Sequence, residues 1–287
     1  MRLKALRNYP YVFWLLFYFY LMWGICGFLP EAFEVLATIY GCAVLLALTP
    51  VAESLMRLME GFRHSMTERE ASRITNIFNE TYESAVEVNP ALFKSIRIYI
   101  KDSMDINAFA MGKKTLGVTR GALEFFNDEE LHGILAHELG HFSNGDTIAL
   151  LIALTANILF MIAYRIVYAV ALFLHGIVKS KYDSNLIKMV WWCVDKICQF
   201  IIFIGDVILM PVSRRNEYYA DEFAHECGYG EALTAALYKL QMLAGEEPRK
   251  ISDYVKKTHP ALIDRIARLE QLKKEIEERP ALSSPEA

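Results

Sequence analysis

Residues 127–146 read NDEELHGILAHELGHFSNGD. This stretch predicts a helix with both ends marked. Asn127 and Asp128 suit the start, and Glu130 lies three residues after Asn127, the spacing of a capping box. Leu131, Ile134, Leu135, Leu139 and Phe142 recur as an apolar helical face. Ser143-Asn144-Gly145-Asp146 is a stop signal, with Gly145 suited to a left-handed exit. Inside the helix stands His137-Glu138-Leu139-Gly140-His141, an H-E-x-x-H sequence. Histidines four residues apart share one helical face, so both imidazoles reach one tetrahedral Zn²⁺, and Glu138 is placed beside the water to act as its base. His132, five residues before His137, has poor ligand spacing and reads as a structural histidine.

Two histidines need a third ligand if the fourth position is to stay with water. Glu217 is the candidate. It lies in Ser213-Arg214-Arg215-Asn216-Glu217-Tyr218-Tyr219-Ala220-Asp221, a predicted helix that sets Asp221 one turn further on the same face. One carboxylate could bind metal while the next accepts the free ring N–H of a liganding histidine. A solvated charged face would show the same spacing, and spacing alone leaves both readings open.

Together these segments resemble the M48 metallopeptidases, the group that holds the HtpX-type membrane proteases and the zinc-dependent CAAX prenyl proteases. The residues that carry the resemblance are His137 to Asp146 and Glu217-Tyr218-Tyr219-Ala220-Asp221. Asn107-Ala108-Phe109-Ala110, thirty residues before His137, and Thr258-His259-Pro260 with Arg265 add to it. It runs from about residue 65 to 270. Asn216 stands where the HtpX-type proteins usually carry an arginine, and Ala261 replaces the second proline that often follows the T-H-P.

The resemblance implies an α+β zincin-type (gluzincin) catalytic domain with one Zn²⁺ per chain on His137, His141 and Glu217, and Glu138 as the catalytic base. Asp221, Arg265 and His259 would support the site. Asn107, Ala108, Phe109 and Ala110 would form an edge strand on which a polypeptide substrate binds as an extended strand. Read without the resemblance, residues 107–110 are an ordinary half-buried strand and Arg265 a surface helix arginine. His225, two turns after Glu217, reads as structural.

With 287 residues, 54% of them hydrophobic, and a mean hydropathy of +0.22, the chain is too apolar for an ordinary soluble domain. The expectation is a mainly α integral membrane protein with four transmembrane helices in contact with the lipid bilayer. Tyr9 to Leu29 and Phe33 to Leu48 form the first hairpin, and no signal-peptide cleavage site follows the first run. Thr147 to Leu174 and Leu186 to Val212 form the second. The expected organisation is a transmembrane hairpin at 1–52, the first part of a catalytic domain at 53–146, a second hairpin at 147–212, the rest of the catalytic domain at 213–279, and a tail at 280–287 set off by Pro280.

Arg165, Asp195, Lys196 and Asp206 lie within the second hairpin and require partners. At a rise of 1.5 Å per residue, Arg165 and Asp195 fall roughly 27 and 26 Å from the site end, one depth at which they could pair. Arg2, Lys4, Arg7, Arg57, Arg63, Arg214 and Arg215 flank the spans on the site side, whereas the first outer turn carries Glu31 and Glu34; Lys179, Lys181 and Lys188 count the other way. The balance places the site on the cytoplasmic side, in a bacterial inner membrane if the resemblance holds.

Thr67 to Glu70 is a second capping box, opening a helix to about Val88. Strands are predicted near Ser95 to Ile100, Asn107 to Met111 and Leu116 to Thr119, with a turn at Lys113-Lys114-Thr115. Residues 230–244 and 261–279 read as amphipathic helices. Five cysteines give no disulfide framework, and a net charge of -4 offers no footprint for nucleic acid.

The expected activity is zinc-dependent hydrolysis of peptide bonds in membrane or misfolded proteins. The alternatives are a CAAX prenyl protease-like enzyme of narrow specificity and a non-catalytic scaffold stabilised by zinc.

Overall fold

A computed structural model describes residues 9–59, 61–63, 67–92, 94–178, 184–244 and 262–282. The chain divides into two compact units, one of residues 1–49 and 149–211, the other of residues 50–148 and 212–287.

The first unit opens with α1 (Tyr9–Ile25) and α2 (Pro30–Ala47). The apolar run expected to reach Leu29 stops as helix at Ile25, because Gly27 and Phe28 both turn to positive φ and the Trp23 indole donates to the Leu29 carbonyl at 2.9 Å. Pro30 then starts α2, where its missing N–H costs nothing. The unit also takes most of α7 (Asp146–Val178) and the apolar part of α8 (Ser184–Glu226). Its core gathers Trp14, Tyr18, Leu36, Tyr40, Phe160 and Cys198, and the Trp14 indole donates to Asn157 Oδ1 at 3.1 Å. Pro30–Ala47 and Asp146–Val170 are long and apolar enough to cross a bilayer, and Tyr9–Ile25 is a shorter apolar helix.

The expected Arg165–Asp195 pair does not form. Asp195 accepts from the Tyr164 hydroxyl at 3.3 Å and from Gln199 at 2.6 Å, with the Lys196 ammonium 3.9 Å away. The depth was read well enough, but neighbours on a helix differ by about 100° in direction, and Tyr164 is the one turned toward Asp195.

The second unit contains α3 (Pro50–Met59), β1 (Phe62–Arg63), α4 (Glu68–Val88), β2 (Arg97–Lys101), β3 (Ala108–Met111), β4 (Thr115–Thr119), α5 (Arg120–Phe125), α6 (Asp128–Asn144), α9 (Gly230–Ala244) and α10 (Leu262–Leu282). The sheet order is β1-β2-β4-β3. β4 is buried throughout and pairs parallel with β2, Arg97 opposite Thr115, and antiparallel with β3, Ala108 opposite Val118. Thr115, expected in the turn, therefore begins β4. β1, two residues long, was too short to carry an alternation.

Ile100, Leu116 and Val118 of the sheet, Ile74 and Phe78 of α4, and Leu131, Leu135 and Leu139 of α6 form one apolar core. α10 continues through Pro280 to Leu282 where a break was expected. Proline's φ is already helical, and so near a helix end it removes only one backbone bond.

Candidate metal centre

Both signals at the ends of α6 are present. The Asn127 side chain accepts from the Glu130 N–H at 2.8 Å while the Glu130 carboxylate accepts from the Asn127 N–H at 3.0 Å. Gly145 leaves the helix at φ +77°. Leu131, Leu135 and Leu139 turn into the core, which leaves His137, Glu138 and His141 on the face toward α8.

Gly140 sets how close α8 comes. A Cβ there would stand 2.8 Å from the Ala220 Cα, nearer than side chains allow, so only glycine admits the second helix. Glu217, one turn before Ala220, then meets both histidines. Its carboxylate oxygens lie 3.4 Å from His137 Nε2 and 3.5 Å from His141 Nε2. Ligand atoms of the three residues all fall within 4.8 Å of one another.

The outer nitrogens are held as well. His137 Nδ1 is 2.9 Å from Asp221 Oδ1, and His141 Nδ1 is 3.2 Å from Asp146 Oδ2. Arg265 grips Asp221 with two parallel bonds, Nε to Oδ2 at 2.8 Å and Nη2 to Oδ1 at 2.6 Å, and sets Nη1 3.0 Å from Glu217. Arg265, for which a surface position was the open alternative, is thus buried among carboxylates, with 5% of its surface exposed.

Burial and the Arg265 charge both act to lower the His137 pKa, but hydrogen bonds to Asp221 and Glu217 together with the Asp221 charge outweigh them and hold it at about 9 in the metal-free protein. Burial would raise Asp221, yet Arg265 and His137 keep it below the usual carboxylate range. Burial, the largest influence, likewise disfavours the His141 cation, as does the nearby His137, but the hydrogen bond to Asp146 together with the Glu217 and Glu138 charges outweighs them, so its pKa also rises.

The structure brings together His137, Glu138, His141, Glu217, Asp221 and Arg265. His259, expected to support the site, and Thr258 and Pro260 beside it lie outside the described residues. His132 is structural, bonded at 2.7 Å to the Thr81 hydroxyl and stacked on Tyr229. His225 sits elsewhere, lining a small cavity with Glu231, Thr234 and Lys273. Asn107 and β3 occupy a sheet edge, with no strand on their outer side among the described residues.

The residue that sequence reasoning missed is Asp146. It was read as part of a helix stop, but a left-handed glycine followed at once by a new helix folds the next side chain back along the old one, and that signal was available. Asp146→Ala is expected to weaken zinc binding about 10- to 100-fold by releasing the His141 ring. Competition with a chromogenic chelator measures this, and unchanged affinity would remove Asp146 from the site.

The site is thus one in which an H-E-x-x-H helix meets a glutamate from a second helix. The sequence profile of peptidase family M48 matches residues 68–273. The chain belongs to peptidase family M48. It is 33% identical over 166 residues to a Protease HtpX homolog of Aquifex aeolicus, covering 54% of this chain and 53% of that protein. It is 30% identical over 193 residues to Protease HtpX of Acinetobacter baumannii, covering 59% and 63%. The matched region thus spans between half and two thirds of the length of these relatives. The crystal structure of S. mikatae Ste24p is similar in fold, with a TM-score of 0.53 at 18% identity, over 89% of this chain and 61% of that one.

Proposed function

We propose that this chain is a multi-pass membrane zinc endopeptidase that hydrolyses peptide bonds of membrane or misfolded proteins at the cytoplasmic face of a bacterial inner membrane. The observation that carries the reading is the convergence of the buried His137 and Glu217 with the half-buried His141, with Glu138 on the same helical turn as the histidines.

The donor set fits zinc. Two imidazole nitrogens and one carboxylate oxygen are its usual ligands, and tetrahedral bonds of about 2.0–2.1 Å put ligand atoms roughly 3.3–3.4 Å apart. The observed separations of 3.4 and 3.5 Å agree with that spacing. Bound there, the ion would acidify a water and polarise the scissile carbonyl.

The chain's own residues do the rest. Asp221 and Asp146 hold the Nδ1 atoms, which turns both Nε2 atoms toward Glu217. Among the described residues no hydrogen bond engages the Glu138 side chain, so its carboxylate is available to take a proton from the attacking water and return it to the leaving amine. Just before the antiparallel ladder, the Asn107 carbonyl accepts the Thr119 N–H, and the Asn107 N–H donates to Thr119 Oγ1. Alternation then turns the N–H and C=O groups of Ala108 and Ala110 away from β4, as strand addition by an extended substrate requires.

The membrane assignment rests on α1, α2 and the apolar parts of α7 and α8 as four spans, and the orientation on the basic residues flanking them.

The deciding assay is cleavage of an unfolded model protein by the detergent-purified full chain, abolished by chelation and restored by Zn²⁺. No cleavage at one bound zinc per chain would sink the reading. The same zinc titration at pH 7 is expected to release a proton. With its pKa at about 9 the metal-free His137 is protonated there and must lose that proton to offer a ligand nitrogen, so affinity falls as the pH is lowered. Calorimetry in buffers of different ionisation enthalpy reads the release directly.

A further inference from the structure

The turn between β3 and β4 is held from two sides. From α3, the buried Glu53 carboxylate accepts the Lys113 N–H at 3.2 Å, the Lys114 N–H at 3.0 Å and the Thr115 hydroxyl at 2.6 Å. Arg57, one turn along α3, stands 3.6 Å from Glu53, donates to Thr115 Oγ1 at 2.7 Å and lies over the Tyr99 ring of β2. The turn backbone closes directly on this carboxylate, since a Cβ at Gly112 would stand 2.7 Å from it. From the start of α7, the Thr147 hydroxyl donates to the Gly112 carbonyl at 2.7 Å.

Thr147 directly follows Asp146, the residue that holds His141. One short segment thus ties the metal helix to the turn that ends β3. Nothing in the hydrolysis derived above uses Glu53, Arg57 or Thr147. A tight turn does not need a buried carboxylate, whose desolvation must be offset by well-formed bonds. What the arrangement adds is a defined position for the free edge of β3 along α6.

We propose that Glu53 is a positioning residue for peptide binding: with Thr147 it sets the register of β3 against the H-E-x-x-H helix, so that a strand added beside Ala108 and Ala110 carries its scissile bond to His137 and Glu138. This rests on the endopeptidase reading above.

The test uses the zinc-loaded, detergent-purified full chain carrying Glu138→Gln, so that peptide binds without turnover. The probe is a fluorescent ten-residue peptide with no proline, beside an analogue N-methylated at alternate amides, which cannot pair as a strand. Adding Glu53→Gln is expected to weaken binding of the first peptide about tenfold and to speed hydrogen exchange at residues 111–116. Zinc content and exchange over 131–144 are expected to stay as they were. Thr147→Val, which keeps the side-chain volume, is expected to act in the same direction from the other side of the turn.

Faster exchange at the turn with unchanged affinity would overturn the assignment. So would a joint loss of affinity, zinc and α6 protection, which is what a merely structural role predicts. If the chain with Glu53 intact prefers neither peptide or binds neither, strand binding itself is wrong and the assignment falls with it.

Discussion

Glu138→Gln is expected to lower turnover of an unfolded protein substrate by between 10² and 10⁴ at unchanged zinc content, the range spanned by loss of a positioned general base. The substitution keeps the shape of the side chain and leaves His137, His141 and Glu217 untouched. Glutamine cannot take a proton at neutral pH. Glu138 is 8% exposed, in the company of both histidines and the Arg265 charge, so no bulk base readily substitutes for it. The measurement is kcat with zinc determined on the same samples. A variant that retains activity within tenfold of the wild type would show that another group carries the proton, and the mechanism proposed here would have to be redrawn.

The second large effect is expected from Arg265→Met. Asp221 is 1% exposed and Glu217 3%, and Arg265 lies between them. Removing Arg265 from this buried ionic cluster leaves two carboxylates with only the His137 cation between them, and the uncompensated charge costs about 3–5 kcal/mol. Thermal unfolding of the zinc-free protein in detergent reads this directly. Arg265→Lys is expected to recover little, because an ammonium cannot reproduce the two parallel bonds to Asp221 together with the contact to Glu217. Asp221→Asn added to Arg265→Met should restore part of the loss by removing one of the stranded charges. A destabilisation under about 1 kcal/mol for Arg265→Met would mean that the carboxylates are hydrated, and Arg265 would then be no brace.

The parts of this molecule that were legible beforehand are the ones whose causes lie within a turn or two of helix. The Asn127–Glu130 capping box, the left-handed Gly145 and the four-residue spacing of the histidines are local geometry, and each appears where the residues place it. The same holds for Glu217 and Asp221, whose spacing on one helix put both carboxylates on one face. Less legible was anything that depends on the rotation of one element against another. The depth of Asp195 was read correctly, but Tyr164 rather than Arg165 faces it. Arg265 was open between a brace and the surface because α10 has polar residues at many positions, and only packing decides which of them is covered.

By itself the sequence determined a chain of apolar helices, the H-E-x-x-H helix with its caps, and a glutamate-aspartate pair of the right spacing for a third ligand and its support. Those follow from periodicity and from the chemistry of single side chains. Only the tertiary structure decided that Gly140 admits Ala220, that Asp146 returns to His141, and that Glu53 reaches 60 residues along the chain to hold Lys113. Such contacts arise where the packing of elements distant in sequence excludes water and forces each buried polar group to find a partner, and no local pattern states which partner that will be.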